Sequence, residues 1–174
     1  MNSKRAWPIL CIFVVIASAG CAIGRKHAYD LATPHVTHQG TIWLAVAAHD
    51  QRSEVVSGQK TPTFVGLSRG GFGNPFDVNT KSGHPLATDF GMAMQRGLAA
   101  RGYRITPVVA SPAMRSTDVA LALAKTGAPV ALIAEIKEWK SDTYNNTALV
   151  YDVTVRVLDP QARVLGQAVV QGQD

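Results

Sequence analysis

The chain has 174 residues, 47% of them hydrophobic and 17% charged, with a formal charge of +5. That is the length of one ordinary domain, too apolar for a disordered segment and too short for two full cores. Its basic residues are scattered without a run of five or six, so nothing points to a nucleic-acid-binding arm.

The chain opens MNSKRAWPILCIFVVIASAGCAIG. Lys4 and Arg5 precede an apolar run from Trp7 to Ala17 and then small residues, the layout of a secretory signal. The run falls short of the ~20 apolar residues that a membrane span needs. Residues 1–20 are therefore expected to be a removed leader, and loss of Lys4 and Arg5 lowers the charge from +5 to +3. Two cleavage sites compete. Ala17-Ser18-Ala19 fits the ordinary rule, while Ser18-Ala19-Gly20-Cys21 resembles a lipobox, with Ser18 where leucine is usual. Cys11 lies in the leader, which leaves Cys21 as a lone thiol in a compartment where thiols pair. Acylation of Cys21, as by palmitate, explains it better than a free or intermolecularly bridged thiol. Acyl chains bury methylenes at about 0.8 kcal/mol each, so two or three anchor a domain without a transmembrane helix. Ala22 stands where the resemblance to known lipoproteins would link Asp with inner-membrane retention, so the expected address is the periplasmic face of the outer membrane.

Residues 21–40 are polar and non-periodic, with Pro34 and Gly40, and are expected to form a flexible lipidated tether. Their histidines, His27, His35 and His38, lack cysteine or carboxylate companions at ligand spacing, so neither a metal nor another cofactor is expected. A single α+β domain is expected over 41–174.

TIWLAVAA (41–48) predicts a buried strand, followed by HDQR. Asp50 and Arg52 share one side of that strand and are expected to close its end as a pair, whereas His49 points the other way. A turn is predicted around Ser57 to Thr61, then a strand over Thr63 to Ser68 with Pro62 at its start. Beyond the glycine-rich loop, Leu86, Phe90, Ala93, Met94, Gly97 and Leu98 recur at helical spacing from Pro85 to a stop at Gly102. Gly97 on that stripe is expected to let the helix approach a sheet closely. Tyr103 to Ala110 predicts a strand edged by Pro107, and a second helix runs from near Ser116 to Gly127. In the last third, VALIAEIKEWK starts apolar and ends amphipathic, like a strand emerging from the core. ALVYDVTVRVL alternates cleanly, Asp159-Pro160-Gln161-Ala162 turns, and Arg163 to Val170 returns. Strict alternation puts Glu135 and Glu138 on opposite faces. The expected architecture is an α+β two-layer sandwich: a mostly antiparallel sheet of about five strands, with two helices packed on one face.

Gly66-Leu67-Ser68-Arg69-Gly70 matches the G-x-S-x-G elbow of serine hydrolases. The elbow requires a strand, a sharp turn at the serine and a prompt helix, then an acid and a histidine. Here RGGFGNP follows Ser68, and the one later histidine is His84. No phosphate-binding signature is complete either. Turn chemistry accounts for the loop: Gly70, Gly71 and Gly73 at positive φ, Asn74-Pro75 setting a turn, and Phe72 or Phe76 pinned to the core. Arg69 is left over. A long loop here leaves Arg69, Gly70, Gly71, Phe72, Asn74 and Phe76 as a candidate partner-contact surface. Trp139 and Tyr144 are further contact candidates, with core packing as the alternative.

LAVAAHDQR, VGLSRGG and LATDFGMAMQRGLAARGYRI together resemble the YajG-type lipoproteins of the bacterial envelope and, more distantly, the N-terminal domain of periplasmic TolB. GFGNPFDVNTKSGHP departs from the first pattern. The resemblance implies a non-enzymatic envelope lipoprotein, an accessory to a periplasmic assembly, with no catalytic residue carried over. The expected partners are the membrane through the anchor and an envelope protein, with glycan or lipid second and no nucleic acid. The alternative is a small periplasmic serine hydrolase using Ser68.

Overall fold

The structure, a computed structural model, describes residues 26–174. The leader and Cys21 lie outside the described residues. Among the described residues, seven strands and three helices form a mixed α/β fold around one curled sheet. The strands are β1 (Trp43–Asp50), β2 (Phe64–Arg69), β3 (Pro75–Asn79), β4 (Arg104–Pro107), β5 (Val130–Thr143), β6 (Thr147–Leu158) and β7 (Val164–Gln173). The helices are α1 (Ser53–Val56), α2 (Leu86–Ala99) and α3 (Ser116–Ala124), and a short 3-10 turn covers Tyr29–Leu31.

The β5 strand organises the sheet. Along one edge it pairs with β6 throughout, and β7 continues the antiparallel meander, as the short connections predicted. Its other edge is shared. The first half pairs in parallel with β1, from Leu44↔Val130 to Asp50↔Ile136, and the second half pairs in parallel with β2, from Gly66↔Ser141 to Ser68↔Thr143. The β4 strand lies parallel beyond β1, and β3 lies antiparallel beyond β2.

This corrects the expected mostly antiparallel, two-layer arrangement. The chain leaves β1 through α1 to the β2–β3 hairpin at one end of the sheet, crosses through α2 to β4 at the other, then returns through α3 past β1 to β5. The β4–α3–β5 connection is a crossover between parallel strands, whereas α2 arrives from β3, which runs antiparallel to β4, so nothing confines the two helices to one face. The two long helices accordingly cover opposite faces rather than one. Val119 and Leu123 of α3 pack with Ala45, Ala47 and Ile133, while Leu86 and Ala87 of α2 pack with Ala48, Ala134 and Ile136.

Where β1 and β2 part company along the β5 edge, residues between the two ladders lack a strand partner. Arg52 fills the fork. It is 0% exposed, grips Asp50 through Nε (2.9 Å) and Nη2 (2.7 Å), and donates from Nη1 to the carbonyls of Phe64 (2.6 Å) and Trp139 (3.3 Å). The Asp50–Arg52 pair expected at the strand end is thus a buried plug that satisfies carbonyls the branching sheet leaves open. Gly66 lies just past the fork, where a Cβ would run into the Ser141 backbone.

Residues 27–40, expected to be a flexible tether, lie along α2. Arg96 Nη1 donates to the carbonyls of Asp30 (2.5 Å) and Ala32 (3.1 Å), and the Gly40 amide donates to Arg101 (3.1 Å). Gly97 does allow a close approach, but to this strap and not to the sheet: a Cβ there would sit 2.7 Å from the Pro34 oxygen. Tyr29 anchors the strap edge-on against Trp139 (5.8 Å between ring centroids), which also meets Phe90 edge-on (4.8 Å).

Candidate functional site

Two hairpins end side by side at the C-terminal end of β5. The expected strand-to-helix loop is instead the turn of the β2–β3 hairpin, with Arg69 opposite Pro75. The β3 strand escapes the hydrophobic pattern because it is only PFDVN, opening on a proline tolerated at an edge. The Gly70 amide donates to Asn74 O (2.9 Å) and the Gly73 amide to Gly70 O (2.7 Å), closing the turn. Of its three glycines only Gly73 has positive φ, at 81°. Neither phenylalanine pins the loop to the core: Phe72 at the tip is 99% exposed and Phe76 is 52% exposed.

Arg69 now has an account. Its guanidinium clasps Asp142 of β5 with two bonds, from Nε (2.8 Å) and Nη2 (2.5 Å), the fork geometry that gives such pairs their directionality. Hydrogen bonding from Arg69 holds the Asp142 carboxyl below its ordinary pKa. The pair fixes the β2–β3 hairpin to the strand leading into the β5–β6 turn. That second turn carries Tyr144, 53% exposed. The result is a pair of neighbouring tips bearing Phe72 and Tyr144. Trp139, the other aromatic candidate, belongs to the core cluster with Tyr29, Phe90 and Tyr151.

Beneath the tips one sheet face carries two adjoining open hollows of about 470 and 530 Å³ that share Glu138 and Lys140. The first includes Glu54, Lys60 and Asp77; the second includes Arg69, Asp142 and Tyr144. Lys60 binds both Asp77 oxygens (2.6 and 2.8 Å). Burial raises the Glu138 pKa, and the nearby Glu54 carboxylate adds to the effect. These hollows present paired charges and one exposed aromatic, a surface suited to polar contact.

Ser68 has neither the sharp turn nor the prompt helix that the elbow requires, since β3 follows β2. It lies within β2, buried, opposite Phe76 on one side and Thr143 on the other. His84 sits elsewhere, with Ser82 and Asp89. There Ser82 Oγ donates to both Asp89 oxygens (2.9 and 2.8 Å), and His84 Nδ1 is 3.5 Å from Asp89. The serine proton faces the carboxylate rather than the imidazole, so this trio holds the start of α2 and does not activate a nucleophile. Burial raises the Asp89 pKa, opposed by the Ser82 bonds. The strap histidines do not converge either: the His27 ring lies tilted against Tyr29 with centroids 5.8 Å apart, His35 meets Arg101 at 3.1 Å and His38 meets Thr37 at 3.0 Å.

One polar cluster escaped the sequence reading. A register shift between Ile136 and Glu138 inserts an extra residue into β5, so Glu135 and Glu138 stand opposite Thr154 and Asp152, two residues apart on β6. They share a face after all, because the bulge resets the alternation. His49, Glu135 and Thr154 form a buried rung across β1, β5 and β6. Arg156 Nη1 pairs with Glu135 at 2.7 Å, and His49 Nε2 lies 2.9 Å from Gln51 Nε2. His49 Nδ1, Glu135 Oε1 and Thr154 Oγ1 have no hydrogen-bond partner among the described residues. His49 shares parity with Ala45 and Ala47, the one sign in the sequence that it points inward.

No family model and no curated protein matches the chain. Among solved structures, a Xanthomonas campestris protein of the family DUF330 resembles it with a TM-score of 0.47 at 12% identity, over 86% of this chain and 74% of that one. A PelC variant dodecamer from Paraburkholderia phytofirmans gives a TM-score of 0.45 at 15% identity, over 82% of this chain and 78% of that one. Lipoprotein GNA1162 from Neisseria meningitidis gives 0.40 at 12% identity, over 76% of this chain and 81% of that one. All three scores lie below 0.5, and the likeness is one of element arrangement alone.

Proposed function

We propose that the chain is exported, acylated at Cys21 and held at the periplasmic face of the outer membrane, where its domain is a non-enzymatic accessory module that binds another envelope protein. The observation that carries the contact reading is the pair of hairpin tips. Phe72 is almost wholly exposed and Tyr144 more than half exposed, and the Arg69–Asp142 clasp holds their spacing. Exposed aromatics on a fixed scaffold bury much area at little entropic cost, the property that enriches them at protein contacts. The lone-thiol argument and the resemblance to the YajG-type lipoproteins support the address.

The reading separates into two tests. Replacing Cys21→Ser and fractionating cells should release the chain from the outer membrane; unchanged retention would count against acylation. Isolating the full chain from solubilised envelopes should recover a partner that the Phe72→Ser/Tyr144→Ser double variant loses. Equal recovery by the variant would remove the tips from the interface. The hydrolase alternative predicts ester turnover that disappears in Ser68→Ala.

A further inference from the structure

Among the described residues the sheet has three free edges, and two of them are blunted. The β4 edge is four residues long and ends on Pro107, and the β3 edge is five residues long, opens on Pro75 and carries Asp77. Short length, proline and charge are the ordinary means by which an edge avoids pairing with another chain. The β7 edge has none of them. It is ten residues long, VLGQAVVQGQ, without proline or charge. Val164, Leu165, Val169 and Val170 are each more than half exposed.

The same strand is nearly its own mirror. Gly166-Gln167-Ala168-Val169-Val170-Gln171-Gly172 reads almost identically in either direction about Val169. An antiparallel pairing with a second copy, centred on that residue, sets Gly against Gly, Gln against Gln, Ala against Val and Val169 against itself. The backbone agrees with this centre. Asp174 exchanges both backbone hydrogen bonds with Leu149 (3.0 and 3.1 Å). Hydrogen-bonded and non-bonded pairs alternate along an antiparallel ladder. The N–H and C=O groups of Gln167, Val169 and Gln171 therefore point away from β6, at the free edge. Charge does not oppose the pairing: Arg163, which already binds Asp159 in its own turn (2.6 Å), precedes the strand and Asp174 follows it, so antiparallel pairing brings opposite charges near each other at both ends.

We propose that β7 is a homodimerisation edge, pairing with β7 of a second copy about a two-fold axis at Val169 and joining the two sheets into one. The interface is isologous, each copy using the same strand. It is independent of the hairpin tips, and its failure leaves the proposed function untouched.

The test uses the full chain. With Val169→Cys, a short bismaleimide applied to intact cells should yield a covalent dimer that neither the parent chain nor a Lys125→Cys control forms. In detergent solution the parent should sediment as a dimer. Val169→Lys, which opposes two like charges at the axis on an exposed position, should weaken association by more than about tenfold, and mixing it with Val169→Glu should restore it. A monomeric parent, an undiminished Val169→Lys dimer, or adducts of Val169→Cys only with other proteins would each overturn the proposal.

Discussion

The two halves of β5 make a natural contrast. From Val130 to Ile136 the strand is sandwiched: β1 beside it, α3 over one face and α2 over the other, with five of seven residues buried. From Lys137 to Thr143 only Ser141 is buried, and the strand runs out beside β2 toward the exposed tips. One strand thus serves as scaffold in its first half and as platform in its second, with a bulge and the Asp50–Arg52 plug marking the join. Layers cover both faces of the first half, whereas in the second half Trp139 packs on one face and Glu138, Lys140 and Asp142 line the open hollow on the other.

The largest effect is expected at the join. Asp50→Ala leaves the Arg52 guanidinium buried without its counter-charge and should cost about 3–5 kcal/mol in denaturant unfolding. Within the covered half, Leu123→Ala opens a cavity at a fully buried site and should cost about 2–5 kcal/mol. A truncation at the tip beside the open half, Phe72→Ala in the β2–β3 turn, should change stability by no more than about 0.5 kcal/mol. A Phe72 effect as large as that of Leu123 would erase the distinction between scaffold and platform. Arg69→Ala should speed amide exchange at Leu67 and Ser68 while leaving the global unfolding midpoint in place, since the clasp lies at the surface.

The smallest effect is one of pH. Burial raises the Asp89 pKa, so the folded state holds that proton more tightly than the unfolded one. The group's contribution is best in acid and is eroded as pH climbs from the ordinary carboxylate value of about 3.9 through the raised one. Asp89→Asn should remove this slope and gain on the parent protein as pH rises. A difference independent of pH, measured by denaturant titration at several pH values, would contradict it.

Local signals were legible and long-range ones were not. The passage of β5 from apolar to amphipathic, the clean alternation of β6, and the α2 stripe ending before Gly102 each follow from neighbours in sequence. Parallel pairing of β1 with β4 and β5 depends on crossovers across helices, which periodicity does not encode. The bulge near Lys137 changes parity with no marker residue, so plain alternation places Glu135 and Glu138 on opposite faces where the structure puts them on one. The strap was read from its polarity, which says nothing of the Pro34–Gly97 contact that holds it. At the candidate site, the sequence singled out Arg69 and its loop, but the clasp to Asp142 joins residues 73 apart.

The most direct test of the division between scaffold and platform is site-specific photocrosslinking in intact cells, with the probe at Phe72, at Tyr144 and at Leu121 on the exposed side of α3. The account predicts the same discrete adduct from the two tips and none from Leu121. Adducts from Leu121 but not from the tips would contradict it.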